Sequence, residues 1–278
     1  MTFSVAARDG DAWGVAVASR FLAVGALVPA VRLGVGAVAT QAMARVAYRD
    51  EVLDALEAGT EVGSALDTAV AADAGRVHRQ VGAVGPTGAA TFTGEACFAY
   101  AGGLAGGDEH TAYAIQGNIL AGPDVLDAMH RAWLESSGQS LDRRLLATLL
   151  AGDAAGGDSR GRQSAAIIAL RPGAGYDRSG VLADLRVDDH PEAPRELARL
   201  HGLSTLYFGS PEDVAPLRGG LRDEVAARLH LLGHSGPVES ALEDWMSGAN
   251  LENRRAPGGI DGRVLEELRR ATQALTGP

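Results

Sequence analysis

The start of the chain alternates between apolar and polar or small side chains in the way that is typical of β-strands. Residues 2–8 and 13–20 both show this period of two, and Asp9-Gly10-Asp11 between them has turn chemistry. The pattern predicts an antiparallel hairpin. A further strand is predicted over Gly34–Ala42, which contains so few polar groups that both of its faces are expected to be buried.

Paired helices and blocks of strands alternate along the next part of the chain. Helical spacing predicts helices over residues 49–58, 62–72, 124–136, 142–150 and 193–201. Period-two runs predict strands over residues 80–84, 89–93, 111–116, 164–170 and 181–187, and residues 102–107 are predicted to form a glycine-rich loop. This order favours an α+β protein over the strict βαβα order of a Rossmann fold, and we predict a four-layer αββα sandwich.

The pattern of residues changes after residue 208. Pro211, Pro216 and Gly219-Gly220 interrupt the chain, and amphipathic stretches follow over residues 221–232, 238–246 and 262–274. We therefore predict one main domain over residues 1–208 and a small helical module over residues 209–278.

Composition limits the classes of partner. The chain has 278 residues, 46% of them hydrophobic, and a net charge of −10, which argues against nucleic acids and anionic membrane surfaces. The N-terminus lacks a basic segment typical of signal peptides, no apolar run is long enough to span a membrane, and Cys97 is the lone cysteine. We expect a cytoplasmic protein with a small-molecule substrate. Apolar helices and scarce aromatic residues also favour a homo-oligomer, and we interpret Cys97 as a small buried apolar residue.

Several strings of residues occur in an order that points to a known family. They are residues 1–9 (MTFSVAARD), 17–25 (VASRFLAVG), 36–42 (GAVATQA), 116–123 (QGNILAGP), 157–165 (GDSRGRQSA) and 184–190 (DLRVDDH). Together they resemble the bacterial DUF1028 family over roughly residues 1–208. That family looks like a branch of the N-terminal-nucleophile (Ntn) hydrolase superfamily, whose αββα fold is also seen in proteasome subunits and penicillin acylase.

The resemblance has a second part and one departure. Residues 249–252 and 259–262 are similar to the helical tail of some family members, which is labelled as a peptidoglycan-binding module. Arg45-Val46 replaces the Asn-Pro expected in the family, which weakens the case for the loop after Gln41 as a shared substrate contact.

The resemblance implies a nucleophile at Thr2. In the superfamily, the side chain of residue one attacks the substrate and its own α-amino group, with a pKa of about 7.7–8.0, accepts the hydroxyl proton. Thr2 meets this requirement once Met1 is removed. The alternative interpretation is that Thr2 is an ordinary β-branched strand residue.

Other polar residues surround the predicted nucleophile. Ser4 shares its strand face, and Arg20 ends the second strand, where its guanidinium would bind a substrate carboxylate or form a structural ion pair. The amides of Gln41 and Asn118 are predicted to donate to an oxyanion, or else to tie down the backbone. Gln116 is expected to share a side of its strand with Asn118.

Residues 157–164 concentrate charge just before an apolar strand. This density suits the rim of a pocket, where Asp158 or Ser164 would orient the amine of Thr2 and Arg162 would bind an anion. It suits a solvated turn equally well.

Known signatures of other enzyme classes are missing from the sequence. In the strand-to-helix context that these motifs require, it has no G-x-S-x-G elbow, phosphate-binding loop or complete dinucleotide fingerprint. Asp188-Asp189-His190 supplies too few ligands for a metal site, so we expect neither metal nor cofactor.

The favoured hypothesis is an amidohydrolase acting on an anionic small-molecule amide, ureido or N-acyl compound through a threonyl ester. One alternative is a catalytically silent metabolite-binding protein of the same fold. Another is a cell-wall-associated binding protein that relies on the C-terminal module.

Overall fold

The computed structural model describes residues 2–276 and shows a mixed α+β protein with antiparallel sheets. Its strands are β1 (Thr2–Asp9), β2 (Ala12–Ser19), β3 (Pro29–Arg32), β4 (Gly36–Gln41), β5 (Gln80–Gly85), β6 (Gly88–Thr93), β7 (Gly102–Gly107), β8 (Thr111–Asn118), β9 (Ser164–Leu170), β10 (Val181–Val187), β11 (Ala215–Pro216) and β12 (Gly259–Ile260). Its helices are α1 (Val24–Leu27), α2 (Tyr48–Glu57), α3 (Val62–Ala71), α4 (Asp124–Glu135), α5 (Leu141–Ala154), α6 (Ala193–Phe208), α7 (Gly219–Leu231), α8 (Val238–Gly248) and α9 (Gly262–Thr276).

The chain divides into two compact units, Met1–His201 and Gly202–Pro278. The division falls within α6, before the boundary that we predicted after residue 208, and α6 itself continues beyond the predicted end at His201 to Phe208. No helix within residues 2–276 combines the length and the apolar character that crossing a membrane requires.

The first unit is built around the predicted hairpin. β1 pairs with β2 in a register that sets Phe3 opposite Ala18, and Gly10 makes the turn with φ of 59°. β1 also pairs with β8, so it lies at the centre of a six-stranded sheet with the order β10-β9-β2-β1-β8-β7. A second sheet of four strands has the order β3-β4-β5-β6.

Alternate side chains of β1 enter different apolar clusters. Phe3 and Val5 pack with residues of α5 such as Leu149, whereas Ala6 packs with Ala39 of β4 in a cluster between the two sheets. A third cluster joins the four-stranded sheet to α2 and α3 and includes Val38, Val81, Leu53 and Leu66. The period of two in the sequence therefore separates a helix-facing side of β1 from a sheet-facing side.

Two strands of the first unit were missed by the sequence pattern. The predicted glycine-rich loop over residues 102–107 is wrong, because this segment is edge strand β7 paired with β8. Little room exists there for a side chain: a Cβ on Gly106 would lie 2.6 Å from Tyr113 Oη, and one on Gly103 would lie 3.0 Å from Thr91 Oγ1. β3 was also missed, and the strand predicted over residues 34–42 is shorter, Gly36–Gln41.

The second unit contains α7, α8 and α9 close to the positions that the amphipathic stretches predict, together with the short β11–β12 pair. Its apolar cluster includes Val225, Leu242, Trp245 and Leu268. Arg254 and Asp261 form an ion pair inside this unit, with 3.0 Å between Nη1 and Oδ2. Both side chains are almost fully buried, so a charged pair sits within an otherwise apolar core.

Candidate active site

Thr2 lies at the end of β1 on the face that turns toward the four-stranded sheet. It pairs with Asn118 of β8, is almost entirely buried, and has its Oγ1 3.1 Å from Oγ of Ser19. Ser19 ends β2 directly opposite, because Phe3 pairs with Ala18 in the hairpin register. The hairpin therefore brings two hydroxyl groups together at one end of the space between the sheets.

Two carboxamides hold the backbone of Thr2. Nε2 of Gln41 donates to the Thr2 carbonyl oxygen over 3.1 Å, and Nδ2 of Asn118 donates to the same oxygen over 3.4 Å. Both amides also donate to Oε1 of Gln80, over 2.8 Å and 3.0 Å. The side-chain N–H groups of both residues predicted as oxyanion donors therefore donate to acceptors within the protein.

A second pair of hydrogen bonds runs through Ser4. Nε2 of Gln116 donates to Ser4 Oγ over 2.7 Å, and Ser4 Oγ donates to Oε1 of Gln41 over 2.8 Å. The predicted sharing of one strand face by Gln116 and Asn118 is confirmed, since Gln116 pairs with Ser4 and Asn118 with Thr2. Ser4 thus links the six-stranded sheet to β4.

Gln80 was not predicted as a site residue, yet it is the junction of the network. Its Nε2 donates to Thr93 Oγ1 and to the carbonyl oxygens of Gly102 and Gly117, at 2.9, 3.0 and 2.8 Å. Ser19 was missed as well. Both could have been found from the same signal that identified Gln41, namely a polar residue at the end of an otherwise apolar strand.

The side chain of Gln116 fits against a glycine that has no room for a methyl group. A Cβ on Gly82 would lie 2.0 Å from Oε1 of Gln116, and this buried oxygen has no hydrogen-bond partner among the described residues. The absence of a side chain at Gly82 therefore leaves the space that the Gln116 side chain occupies against β5.

Gly82→Ala is expected to lower the free energy of unfolding by about 1–3 kcal/mol, because the new methyl group overlaps a side chain that Ser4 holds in place. Urea unfolding measures the change. Gly122→Ala is the matched control, since a Cβ there would meet nothing within 4 Å. Equal stability losses in the two variants would contradict this account of Gly82.

The strands that carry Gln41 and Asn118 end in left-handed backbone conformations. Ala42 and Met43 have φ of 54° and 51°, and Ile119 has φ of 47°. This region is unfavourable for side chains with a Cβ, and most of all for a β-branched residue such as isoleucine. The local strain at both strand ends is therefore sustained by the contacts around them.

One of those contacts is a polar brace beside β4 and β5. Asp73 Oδ2 accepts hydrogen bonds from Tyr48 Oη and Arg79 Nε, each over 3.0 Å, and Arg79 Nη1 donates to the carbonyl oxygen of Met43. The backbone N–H of Gly75 and the guanidinium of Arg79 lower the pKa of Asp73 to about 2. Burial, assisted by the bond to Asp73, raises the pKa of Tyr48 to about 12.

Asp73→Asn is expected to lose about 1–2 kcal/mol of stability at neutral pH, because the brace loses its charged acceptor. A depressed folded-state pKa stabilises the protein above the unfolded value and loses that effect as the pH falls through the folded value. The difference between wild type and variant should therefore be constant above about pH 5 and shrink from about pH 4 to about pH 2. Urea unfolding across this range measures it, with Asp67→Asn as the control. A pH-independent difference would contradict the assignment.

The charged loop over residues 157–164 meets the end of β2. Oδ2 of Asp158 accepts the backbone N–H of Arg20 over 2.8 Å, and Oδ1 accepts that of Arg160 over 2.9 Å. Ser164 Oγ donates to the carbonyl oxygen of Phe21 and accepts the N–H of Val24 over 3.0 Å. Asp158 and Ser164 thus fix the loop that leaves β2, and their predicted role in orienting the amine of Thr2 stays a prediction.

Arg162, predicted to bind an anion, is already paired. Its Nε donates to Asp153 Oδ1 over 2.6 Å and its Nη1 to Glu192 Oε1 over 3.3 Å. The hydrogen bond to Asp153 raises the pKa of Arg162. The two carboxylates therefore already accept the Arg162 N–H groups that a substrate anion would need.

A cavity of about 220 Å³ lies beside Ser19 on the helix-facing side of the hairpin. Its lining includes Phe3, Asp158, Arg162 and Ser164. Ser19 belongs both to this lining and to the hydroxyl pair with Thr2. The charged loop contributes to this lining, and its role at the rim of a substrate pocket stays a prediction.

The side chains considered as metal ligands or as a thiol nucleophile make other contacts. Asp188 accepts from Arg186, Asp189 accepts from Gln163, and within residues 2–276 no three His, Cys, Asp or Glu side chains form a metal-binding group. The thiol of Cys97 is half-buried and donates to the carbonyl oxygen of Arg79 over 3.4 Å. Burial raises the pKa of Cys97, which makes it a poor nucleophile.

Comparison with known proteins identifies the family of this chain. A model described as a family of unknown function (DUF1028) matches residues 2–197. The chain belongs to the DUF1028 family. A DUF1028 structure, that of protein SPO2555 from Silicibacter pomeroyi, is 30% identical with a TM-score of 0.64, and the match covers 80% of this chain and 92% of that one. No curated protein matches the chain.

The DUF1028 match contains every residue of the candidate site, since it runs from Thr2 to Leu197. Residues 206–268 are similar to a different model, described as "Putative peptidoglycan binding domain". Met1, whose removal the predicted mechanism requires, lies outside the described residues.

Proposed function

We propose that this DUF1028 protein is an amidohydrolase of the Ntn type, in which Thr2 becomes the nucleophile once the peptide bond before it is cut. The substrate is a small molecule with an amide, ureido or N-acyl bond. The layered order of helices, two antiparallel sheets and helices supports an αββα sandwich of the Ntn type, in which the reaction takes place at one end of the space between the sheets.

The observation that carries the proposal is the double anchoring of the Thr2 carbonyl by Gln41 and Asn118. The first residues of a domain are usually poorly ordered unless something ties them down. Here the second residue is buried, and side chains from two other strands converge on its backbone. A reaction that uses residue 2 needs such positioning, because small displacements of a nucleophile reduce rates steeply.

The chemistry follows from the groups at this strand end. The neutral α-amine of Thr2 accepts the proton of Oγ1 while Oγ1 attacks the carbonyl carbon, and the amine then protonates the leaving nitrogen. This forms a threonyl ester, which water hydrolyses with the amine again acting as base. Ser19 is placed to donate a hydrogen bond to Oγ1 and to steady its direction.

The decisive experiment compares two forms of the protein that differ only at the N-terminus. One begins at Thr2 after cleavage of an N-terminal fusion, and the other retains an uncleaved extension. Both are treated with a β-lactone, whose ring opens on attack so that the adduct keeps the full mass of the probe. Peptide mass spectrometry should locate the adduct on Thr2 in the first form only. Equal labelling of both forms, or labelling of neither form, would contradict the proposed mechanism.

A second candidate function is binding of a metabolite without catalysis. The observation that favours it is that the N–H groups of Gln41 and Asn118 donate to Thr2 and Gln80, leaving neither amide free for an oxyanion. Intact mass measurement of the natively expressed protein separates the two. Complete retention of Met1 would favour the binding protein, whereas a chain that starts at Thr2 favours the hydrolase.

A further inference from the structure

Large apolar side chains are exposed on the loops that leave the candidate active site. Met43 and Phe98 are 71% and 70% exposed, and Leu22 and Phe21 are 60% and 49% exposed. Side chains of this size are rarely exposed in groups on a soluble protein unless they contact a ligand or partner.

These residues follow or flank the ends of strands that carry or neighbour Thr2. Phe21 and Leu22 follow β2, which lies beside β1 on one side. Phe98 lies beside the end of β8 on the other side, since its carbonyl oxygen accepts the N–H of Ile119 over 2.9 Å. Met43 follows β4, whose Gln41 faces Thr2 from the second sheet. We call Phe21, Leu22, Met43 and Phe98 the apolar rim.

The guanidinium of Arg20 adds a positive charge to the same region. Arg20 follows Ser19 directly, and its Nη1 lies 3.4 Å from the position of a Cβ on Gly161. Its exposed guanidinium forms no ion pair within residues 2–276, unlike Arg160 and Arg162, which pair with Asp158 and with Asp153. Arg20 is therefore the guanidinium at this strand end that stays available for an anion.

We propose that the substrate is an N-acyl amino acid with an apolar acyl chain. The carboxylate of the amino acid binds Arg20, and the acyl chain packs on the apolar rim. This inference rests on the proposed function and selects one class among its substrates. Ureido compounds and small cyclic amides carry no chain that would cover the rim.

The reaction balances with water as the only co-reactant. A bond forms between Oγ1 of Thr2 and the acyl carbon while the carbon–nitrogen bond breaks, and the Oγ1 proton passes through the α-amine to the leaving nitrogen. The free amino acid departs from Arg20. Water then cleaves the ester, releases the fatty acid and restores the Thr2 hydroxyl.

The test measures kcat/KM for N-decanoylglycine, N-acetylglycine and N-decanoylglycinamide with protein that begins at Thr2. Burying about three methylene groups should favour the decanoyl over the acetyl compound at least about 50-fold, because each contributes about fourfold. Loss of the carboxylate in the amide should cost about 10- to 100-fold through the missing charge-assisted hydrogen bonds.

Variants assign these effects to residues. Arg20→Gln should remove the preference for the carboxylate, and Met43→Ser with Phe98→Ser should reduce the chain-length preference about tenfold or more. Arg131→Gln and Leu134→Ser, both on exposed positions of α4, are the matched controls and should change neither.

Calorimetric binding of N-decanoylglycine separates the two proposals. Binding that depends on Arg20 and on the apolar rim, without hydrolysis, would support the ligand class and overturn the proposed reaction. β-lactone labelling of Thr2 without any preference for the decanoyl chain or the carboxylate would overturn the ligand class and leave the reaction standing. If the rim variants instead dissociate a dimer and leave chain-length preference unchanged, the rim is an interface between two copies and the inference fails.

Discussion

Thr2→Ala is expected to lose hydrolytic activity by roughly 10⁴-fold or more, because it removes the only atom that forms a bond to the substrate in the proposed mechanism. The backbone of residue 2 should remain in place, since Gln41 and Asn118 bind its carbonyl oxygen rather than its side chain. Kinetics with N-decanoylglycine and β-lactone labelling both measure the loss.

Two controls make this prediction specific. Thr2→Ser keeps a hydroxyl and should retain activity within about tenfold, because a primary alcohol attacks as well as a secondary one once it is positioned. Ser4→Ala removes a nearby hydroxyl that donates to Gln41, and it should still be labelled on Thr2. Activity that survives in Thr2→Ala, or labelling that moves to Ser4 or Ser19, would contradict the assignment of Thr2.

Arg254→Met is expected to destabilise the second unit by about 3–5 kcal/mol, since the buried carboxylate of Asp261 loses its charged partner and keeps only the backbone N–H groups of Glu212 and Val264. The loss extends beyond the ion pair. Arg254 also donates to the carbonyl oxygens of Leu206 and Thr205, each over 2.7 Å, so three acceptors each lose one hydrogen bond at once. Hydrogen exchange followed by mass spectrometry over residues 206–268 measures this local stability.

Matched variants show how the effect divides. Arg254→Lys keeps a charge toward Asp261 but cannot reach all three acceptors, so an intermediate loss is expected. Arg255→Met, at an exposed neighbour, should change exchange little. Equal protection in Arg254→Met and wild type would show that the buried pair does not stabilise the unit.

Period-two patterning was sufficient to predict the hairpin and the strand face that Ser4 and Thr2 share, because alternation is a local property of the backbone. The edge strand β7 could not be predicted from its glycines. Its formation depends on the room that Tyr113 and Thr91 require on neighbouring strands, and that room exists only after the sheets are assembled.

The same limit applies to the polar residues. Gln41 and Asn118 were identified as buried amides at strand ends, but their acceptors were not, because one acceptor of each amide lies on the facing sheet. Arg162 shows the limit most clearly. Its partner Asp153 belongs to α5, and only the packing of that helix on the sheet decides that the guanidinium is neutralised rather than free for an anion.

The anchoring of residue 2 by its carbonyl has a consequence for the range of chemistry that this scaffold permits. The main chain fixes the position from which the side chain projects, and it does so with hydrogen bonds that any amino acid at this position would make. Threonine, serine and cysteine are therefore exchangeable in placement and differ only in reactivity. In the proposed mechanism, a single codon change at position 2 would replace the oxygen ester of the intermediate with a thioester without rebuilding its surroundings.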